Sequence, residues 1–160
     1  MVVIHLSHTS AINPTGSTPT LTLPQIWSGL QRKVRFAQEF VPVIESCTVL
    51  EEHPDGTVVR DVVFKKEGPK PRARETVREF YPSWVDFEQE DGTHVRNVIS
   101  EGNEGELYMT YMFEFKVDCL EEGSVEAETE AKRLKGMAKG AVESSIEAIR
   151  EMVRDGRIKK

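Results

Sequence analysis

Residues 124–155 read SVEAETEAKRLKGMAKGAVESSIEAIREMVRD, and the fold follows from how this stretch is read. With Leu134 as origin and about 100° per residue, Met137, Ala138, Ala141, Ser145, Ala148, Ile149 and Met152 fall on one side. Ala127, Ala131, Val142, Ile146 and Val153 widen that arc. Lys132, Arg133, Lys139, Glu143, Glu147, Arg150 and Arg154 fall mostly opposite. The spacing predicts one amphipathic helix about 45 Å long. Ser124 is a good N-cap, Glu126, Glu128 and Glu130 suit the positive end of the helix dipole, and Gly156 sits where a C′ glycine belongs. The middle of the apolar stripe is small: Ala138, Ala141, Ser145 and Ala148 lie between Leu134, Met137, Ile149 and Met152. Small residues there leave room, either for bulky side chains from a sheet or for a cavity. Gly136 and Gly140 fall on the outer face, where close approach of another segment is one explanation and chance another.

The rest of the chain supplies the sheet that such a helix must cover. Residues 2–10 alternate as a first strand, and NPTGSTPTL at 13–21 is loop. Thr22 with Gln25 makes a capping box, and Ile26, Trp27, Leu30 and Val34 give a helical stripe. A second short helical piece over 36–41 stops before Pro42. Strands are then expected at 43–52, 57–66, 72–80, 83–89, 94–100 and 106–117, with Asp55-Gly56 and Asp91-Gly92 as hairpin turns. Consecutive hairpins make an antiparallel meander, which leaves one face for water and one for the helix.

Alternation assigns the inner face. Leu107, Met109, Tyr111, Phe113 and Phe115 point inward, as do Val95, Asn97 and Ile99, and Ala73, Glu75 and Val77. In 57–66 the set Val58, Arg60, Val62 and Phe64 is chosen on Phe64. An apolar concave face thus carries Arg60, Glu75, Asn97 and Tyr111. Buried ions need partners, so Arg60 and Glu75 are expected to pair or to meet water. The cluster is either a satisfied buried ion pair with an amide bridge or the polar anchor of an apolar pocket.

Composition narrows the function classes. The chain has 160 residues, 38% hydrophobic and 30% charged, with net charge −6. That describes one globular domain, residues 1–156, with a basic tail at 157–160. A negative chain is a poor nucleic-acid binder; Arg72, Arg74 and Arg78 read as a solvated strand face. Cys47 and Cys119 make no disulfide framework. The start MVVIHLSHTS lacks the form of a signal peptide, and no run approaches a membrane span, so a cytoplasmic location without integral membrane association is expected. The four histidines, His5, His8, His53 and His94, do not form a metal pattern, so no metal and no cofactor are expected. No phosphate-binding loop, dinucleotide fingerprint or nucleophile elbow is present.

Strand, two short helices, six-strand meander and long C-terminal helix resemble the helix-grip fold of the START-like superfamily. That superfamily includes the birch pollen allergen, plant hormone receptors and polyketide cyclases. LTLPQIWSGL, FVPVIESCTVLE, VVRDVVF, RETVREFYP, VRNVIS and ELYMTYMFEF resemble a fungal, largely uncharacterised branch of it. The resemblance implies an α+β domain with a seven-stranded curved antiparallel sheet and a large cavity between sheet and long helix. It carries over no catalytic residues.

Three functions fit. The first is binding of a hydrophobic small molecule, such as a lipid, sterol or polyketide, by a monomer or homodimer. Arg60, Glu75, Asn97 and Tyr111 would read its polar end, and Trp27, Phe64, Met109, Phe113, Ala138, Ala141 and Ser145 would form the walls. The second is a cyclase, isomerase or dehydratase of secondary metabolism in the same cavity, with Glu75 or Tyr111 moving a proton. The third is an assembly partner using the outer face at Arg72, Arg74 and Arg78.

Overall fold

A computed structural model describes residues 1–159. Its strands are β1 (Val2–Ala11), β2 (Ile44–Glu52), β3 (Val58–Phe64), β4 (Arg72–Phe80), β5 (Trp84–Gln89), β6 (His94–Glu101) and β7 (Leu107–Val117). Its helices are α1 (Leu23–Arg35) and α2 (Val125–Arg154). The seven strands form one antiparallel sheet in the order β1-β7-β6-β5-β4-β3-β2, and α2 lies across its concave face against β1 and β7. One expectation needs correction. The second helical piece is a single 3-10 turn, Ala37–Glu39, because the chain has only a few residues between the end of α1 and Pro42.

The helix ends follow the sequence. Thr22 and Gln25 form the capping box in both directions, with Thr22 N–H donating to Gln25 Oε1 at 2.9 Å. Ser124 Oγ accepts from Ala127 N–H, and Gly156 adopts φ 87° just beyond α2. The chain then folds back: Ile158 N–H donates to Met152 O at 2.9 Å and its side chain is buried. Residues 157–159 are therefore docked on the domain rather than trailing from it, and Lys160 lies outside the described residues.

The glycines expected to mark a close approach do not. A methyl group added at Gly136 or Gly140 would meet open space. The tight crossing is at Gly29 of α1, where an added Cβ would lie 2.5 Å from Ile149 Cγ1 of α2. Arg150 also departs from the outer-face expectation. It is 4% exposed and donates to the carbonyls of Pro19 and Ile12, which pins the 13–21 loop onto α2.

Strand register decides what meets inside. Arg60 pairs across to Glu75, and Glu75 to Gln89, making one inward row over β3, β4 and β5. Val85, Asn97 and Tyr111 make a second row over β5, β6 and β7. Between them runs an apolar row, Val58, Val77, Phe87, Val95 and Phe113. On the outer face the arginine stripe is tied down by neighbouring strands: Arg74 pairs with Asp61 at 2.8 Å and Arg78 with Glu88 at 3.1 Å.

Candidate functional site

The end of α1 and the two polar rows of the sheet form one cluster. Arg60 Nε and Nη2 donate to Glu75 Oε1 at 2.9 and 2.7 Å, and Gln89 Nε2 donates to Glu75 Oε2 at 2.9 Å. Arg60 Nη1 donates to the carbonyls of Lys33 and Val34 at 2.9 and 2.8 Å. These belong to the last turn of α1, whose carbonyls have no partners within the helix. A buried guanidinium therefore caps α1 at its negative end while a carboxylate neutralises it. Arg60 and Glu75 are 3% and 5% exposed, so the ion pair is satisfied on both sides, as burial requires.

Lys33 was not anticipated as part of this site. Its Nζ donates to Asn97 Oδ1 at 2.6 Å, lies 4.3 Å from the centre of the Tyr111 ring and 5.2 Å from that of Phe87. The Arg60 guanidinium lies 4.8 Å from the same Phe87 ring, so two cations share one aromatic face region. The residue is 6% exposed. Burial, reinforced by the nearby Arg60 charge and opposed by Glu75, lowers the Lys33 pKa from 10.5 to about 7. A signal was available in the sequence. Ile26, Leu30 and Lys33 fall at helical spacing on one stripe, so the lysine had to point inward. Gln89 follows likewise from the alternation Val85, Phe87, Gln89.

Three polar atoms near this cluster are buried without a hydrogen-bond partner: Asn97 Nδ2, Tyr111 Oη and Ser145 Oγ. The Tyr111 and Ser145 hydroxyls influence each other but do not reach hydrogen-bonding geometry. Burial pushes the Tyr111 phenol well above its usual range, so it stays protonated at neutral pH and acts as a donor. Unpaired polar groups in a dry interior are costly, and they mark a place where a guest oxygen would be welcome.

Beside the cluster is a cavity of about 80 Å³. Its buried floor is Lys33, Arg60, Glu75, Phe87, Gln89 and Tyr111, and its half-buried rim is Val41, Val43, Phe64, Pro69 and Met137. Ile44, Val62, Val95, Phe113, Phe115 and Ala141 complete the wall. The expected wall is thus only partly brought together. Phe64, Phe113 and Ala141 line the cavity; Trp27, Met109, Ala138 and Ser145 do not. Trp27 packs edge-on against Tyr81 with ring centres 5.3 Å apart, Met109 and Ala138 are core, and Ser145 abuts Tyr111. Asn97 acts behind the wall through Lys33. The cavity is smaller than the resemblance implied, and one small residue of α2, Ser145, is covered by Tyr111. Among the described residues no cluster of three or more His, Cys, Asp or Glu is arranged to hold a metal ion, and no helix is long and apolar enough to cross a membrane.

Over residues 6–156 the chain matches the family described as acetylaranotin biosynthesis cluster protein L. It belongs to that family. A relative of the same description from Aspergillus terreus is 25% identical over 152 residues, covering 95% of this chain and 91% of that one. Among solved structures, the di-domain ARO/CYC protein StfQ from the steffimycin biosynthetic pathway superposes with a TM-score of 0.67 at 15% identity over 96% of this chain. The di-domain ARO/CYC protein BexL from the BE-7585A pathway does so with a TM-score of 0.65 at 12% identity over 92%. This chain spans about half of each, 52% and 50%. At such identities the likeness establishes the fold, which is START-like and polyketide-cyclase-like, as the element order implied. In this chain the residues gathered beside the cavity are a lysine, an arginine–glutamate pair and a tyrosine whose hydroxyl has no hydrogen-bond partner.

Proposed function

We propose that this chain works in secondary metabolism, taking a small oxygenated apolar molecule into the cavity and promoting its cyclisation or dehydration by proton transfer. The family's biosynthetic-cluster description and the ARO/CYC neighbours support this reading. The observation that carries it is that Lys33 and Tyr111 line the same cavity, with the Tyr111 hydroxyl left without a hydrogen-bond partner. Such a wall orients a polyketone chain by burial and offers donors where its carbonyl oxygens gain negative charge. The roles differ from a simple pair of acid–base residues. Glu75 accepts three hydrogen bonds and neutralises Arg60, so it holds the floor in place. Tyr111, whose proton burial holds on the phenol, donates a hydrogen bond to the carbonyl oxygen as it gains negative charge.

A second reading, binding without conversion, is favoured by the cavity's size. At about 80 Å³ it is well below the roughly 300–1,000 Å³ of ordinary ligand pockets, so it would seat the polar end of a molecule whose tail leaves over the rim. Incubation with linear poly-β-ketone thioesters separates the two. Conversion predicts a cyclised product distribution unlike that of the uncatalysed reaction, lost in Tyr111→Phe while binding persists. Saturable binding with an unchanged product distribution would leave the carrier reading alone.

A further inference from the structure

The two buried cations of the cavity floor are held in different ways. Arg60 has its donors filled by Glu75 and by two carbonyls. Lys33 donates only to a neutral amide oxygen, and among the described residues its Nζ makes no ion pair. Lys33 lines the cavity, and its amine lies against the Tyr111 and Phe87 rings, which keep it from bulk water. A desolvated lysine beside a second cation is in the setting that makes an amine nucleophilic near neutral pH. We propose that Lys33 is a covalent catalytic residue whose Nζ forms an imine with a ketone or aldehyde carbonyl of the bound molecule.

The step balances with water alone. The free-base amine gives its lone pair to the carbonyl carbon; the C–N bond forms and the C=O π pair moves to oxygen. A proton passes from nitrogen to that oxygen to give the carbinolamine. Loss of the oxygen as water, with a second proton, leaves the imine: R₂C=O + H₂N–Lys33 → R₂C=N–Lys33 + H₂O. Nothing is oxidised or reduced. Tyr111, protonated and without a hydrogen-bond partner, is the donor in the same wall for the departing oxygen. The protonated imine acidifies the neighbouring C–H. That proton passes to the water released in forming the imine, the enamine carbon closes a ring on a second carbonyl whose oxygen takes the proton back, and hydrolysis then frees Lys33. The substrate class is therefore a small apolar ketone or aldehyde with an α-hydrogen and a second carbonyl. This deepens the cyclase reading and rests on it.

Burial, then the charges of Arg60 from β3 and Glu75 from β4, set the amine's charge; the Tyr111 ring of β7 lies against it, and Cys47 of β2 stands behind Arg60 at 3.7 Å. Lys33 has a pKa of about 7, so a large fraction of it is free base at neutral pH, unlike ordinary surface lysines.

The test uses the full chain and 2,4-pentanedione, a β-diketone that gives a conjugated enaminone with free-base amines, alongside borohydride trapping of acetone. Peptide mapping is expected to place the adduct on Lys33 at least about tenfold faster than on any other lysine, with a rate that rises through neutral pH. The adduct should vanish in Lys33→Met and in Lys33→Arg. Adducts spread evenly over surface lysines, or unchanged in Lys33→Arg, would overturn the proposal; the wild-type map alone decides this should both variants fail to fold. Cyclisation of a polyketone that survives Lys33→Met would also overturn the imine while leaving the cyclase reading intact. Labelling of Lys33 by the diketone without any conversion of polyketones would support the amine's reactivity and remove the cyclase reading.

Discussion

The two ends of the interior are built differently from the same pair of helices. At one end α1 crosses α2 at Gly29 and Ile149, and Ile12, Leu21, Ile26, Leu30, Ile149 and Met152 are all at most 2% exposed. At the other end α1 stops, and its last turn meets Arg60, Glu75 and Asn97 beside the cavity. The first end is held by shape. The second is held by charge, because the carbonyls and side chains that α1 brings there are polar and need partners. The difference teaches where function can sit. A closed apolar crossing has no free group to offer, whereas a helix terminus buried against a sheet delivers an amine and a capped set of carbonyls to one place.

The sharpest way to break this contrast is Arg60→Ala. It strands the Glu75 carboxylate and two α1 carbonyls, and the expected loss of stability is about 3–5 kcal/mol, read by urea denaturation. A loss under about 1 kcal/mol would mean that water replaces the guanidinium freely and that the cavity end is wet. Gly29→Ala attacks the closed end instead. Ile149 is fully buried and stiff at its branched carbon, so the added methyl should cost about 1–3 kcal/mol, and Gly29→Ser at least as much.

The charge of Lys33 gives a third prediction with a sign. Its folded pKa, about 7, lies below the unfolded value of 10.5. Between those values the unfolded chain binds a proton that the folded chain does not, so the Lys33 contribution to stability rises with pH across that window. The slope should approach at most about 1.4 kcal/mol per pH unit. Denaturation of wild type and Lys33→Met at pH values through that window isolates it: the stability of wild type relative to Lys33→Met should rise with pH. A constant difference would mean an ordinary lysine. Smaller still, Tyr111→Phe removes a hydroxyl without a partner and should change stability by less than about 1 kcal/mol in either direction. Gly136→Ala and Gly140→Ala, each facing open space on α2, should each stabilise by up to about 1 kcal/mol.

Periodicity made most of the fold legible. The stripe of α2, the capping box at Thr22 and the hairpin turns at Asp55-Gly56 and Asp91-Gly92 each rest on local rules, and the inward sets of β3, β4, β6 and β7 follow from a period of two. The hairpins at 53–57 and 89–93 close over three residues, with Gly56 and Gly92 at positive φ as their sequences require. The site was legible only in part. Arg60, Glu75, Asn97 and Tyr111 come from strand alternation and do gather on the inner face. Lys33 lies outside that logic, since it sits on a helix whose inward stripe is otherwise apolar and a lysine ordinarily takes the solvent face. Met109 is inward but at the closed end, because alternation says which face a residue takes and not which end of the sheet it reaches; Trp27, near the start of α1, is buried at that end too. The size of the cavity is a matter of packing between elements distant in sequence, beyond the reach of any local pattern.

The most direct measurement is an NMR titration of the Lys33 side chain, with ¹³C-labelled lysine and Lys33→Arg for assignment. The account predicts a midpoint near 7 that moves when a diketone occupies the cavity. A midpoint in the ordinary lysine range near 10.5, unmoved by the diketone, would contradict it and leave the cluster as a structural cap on α1.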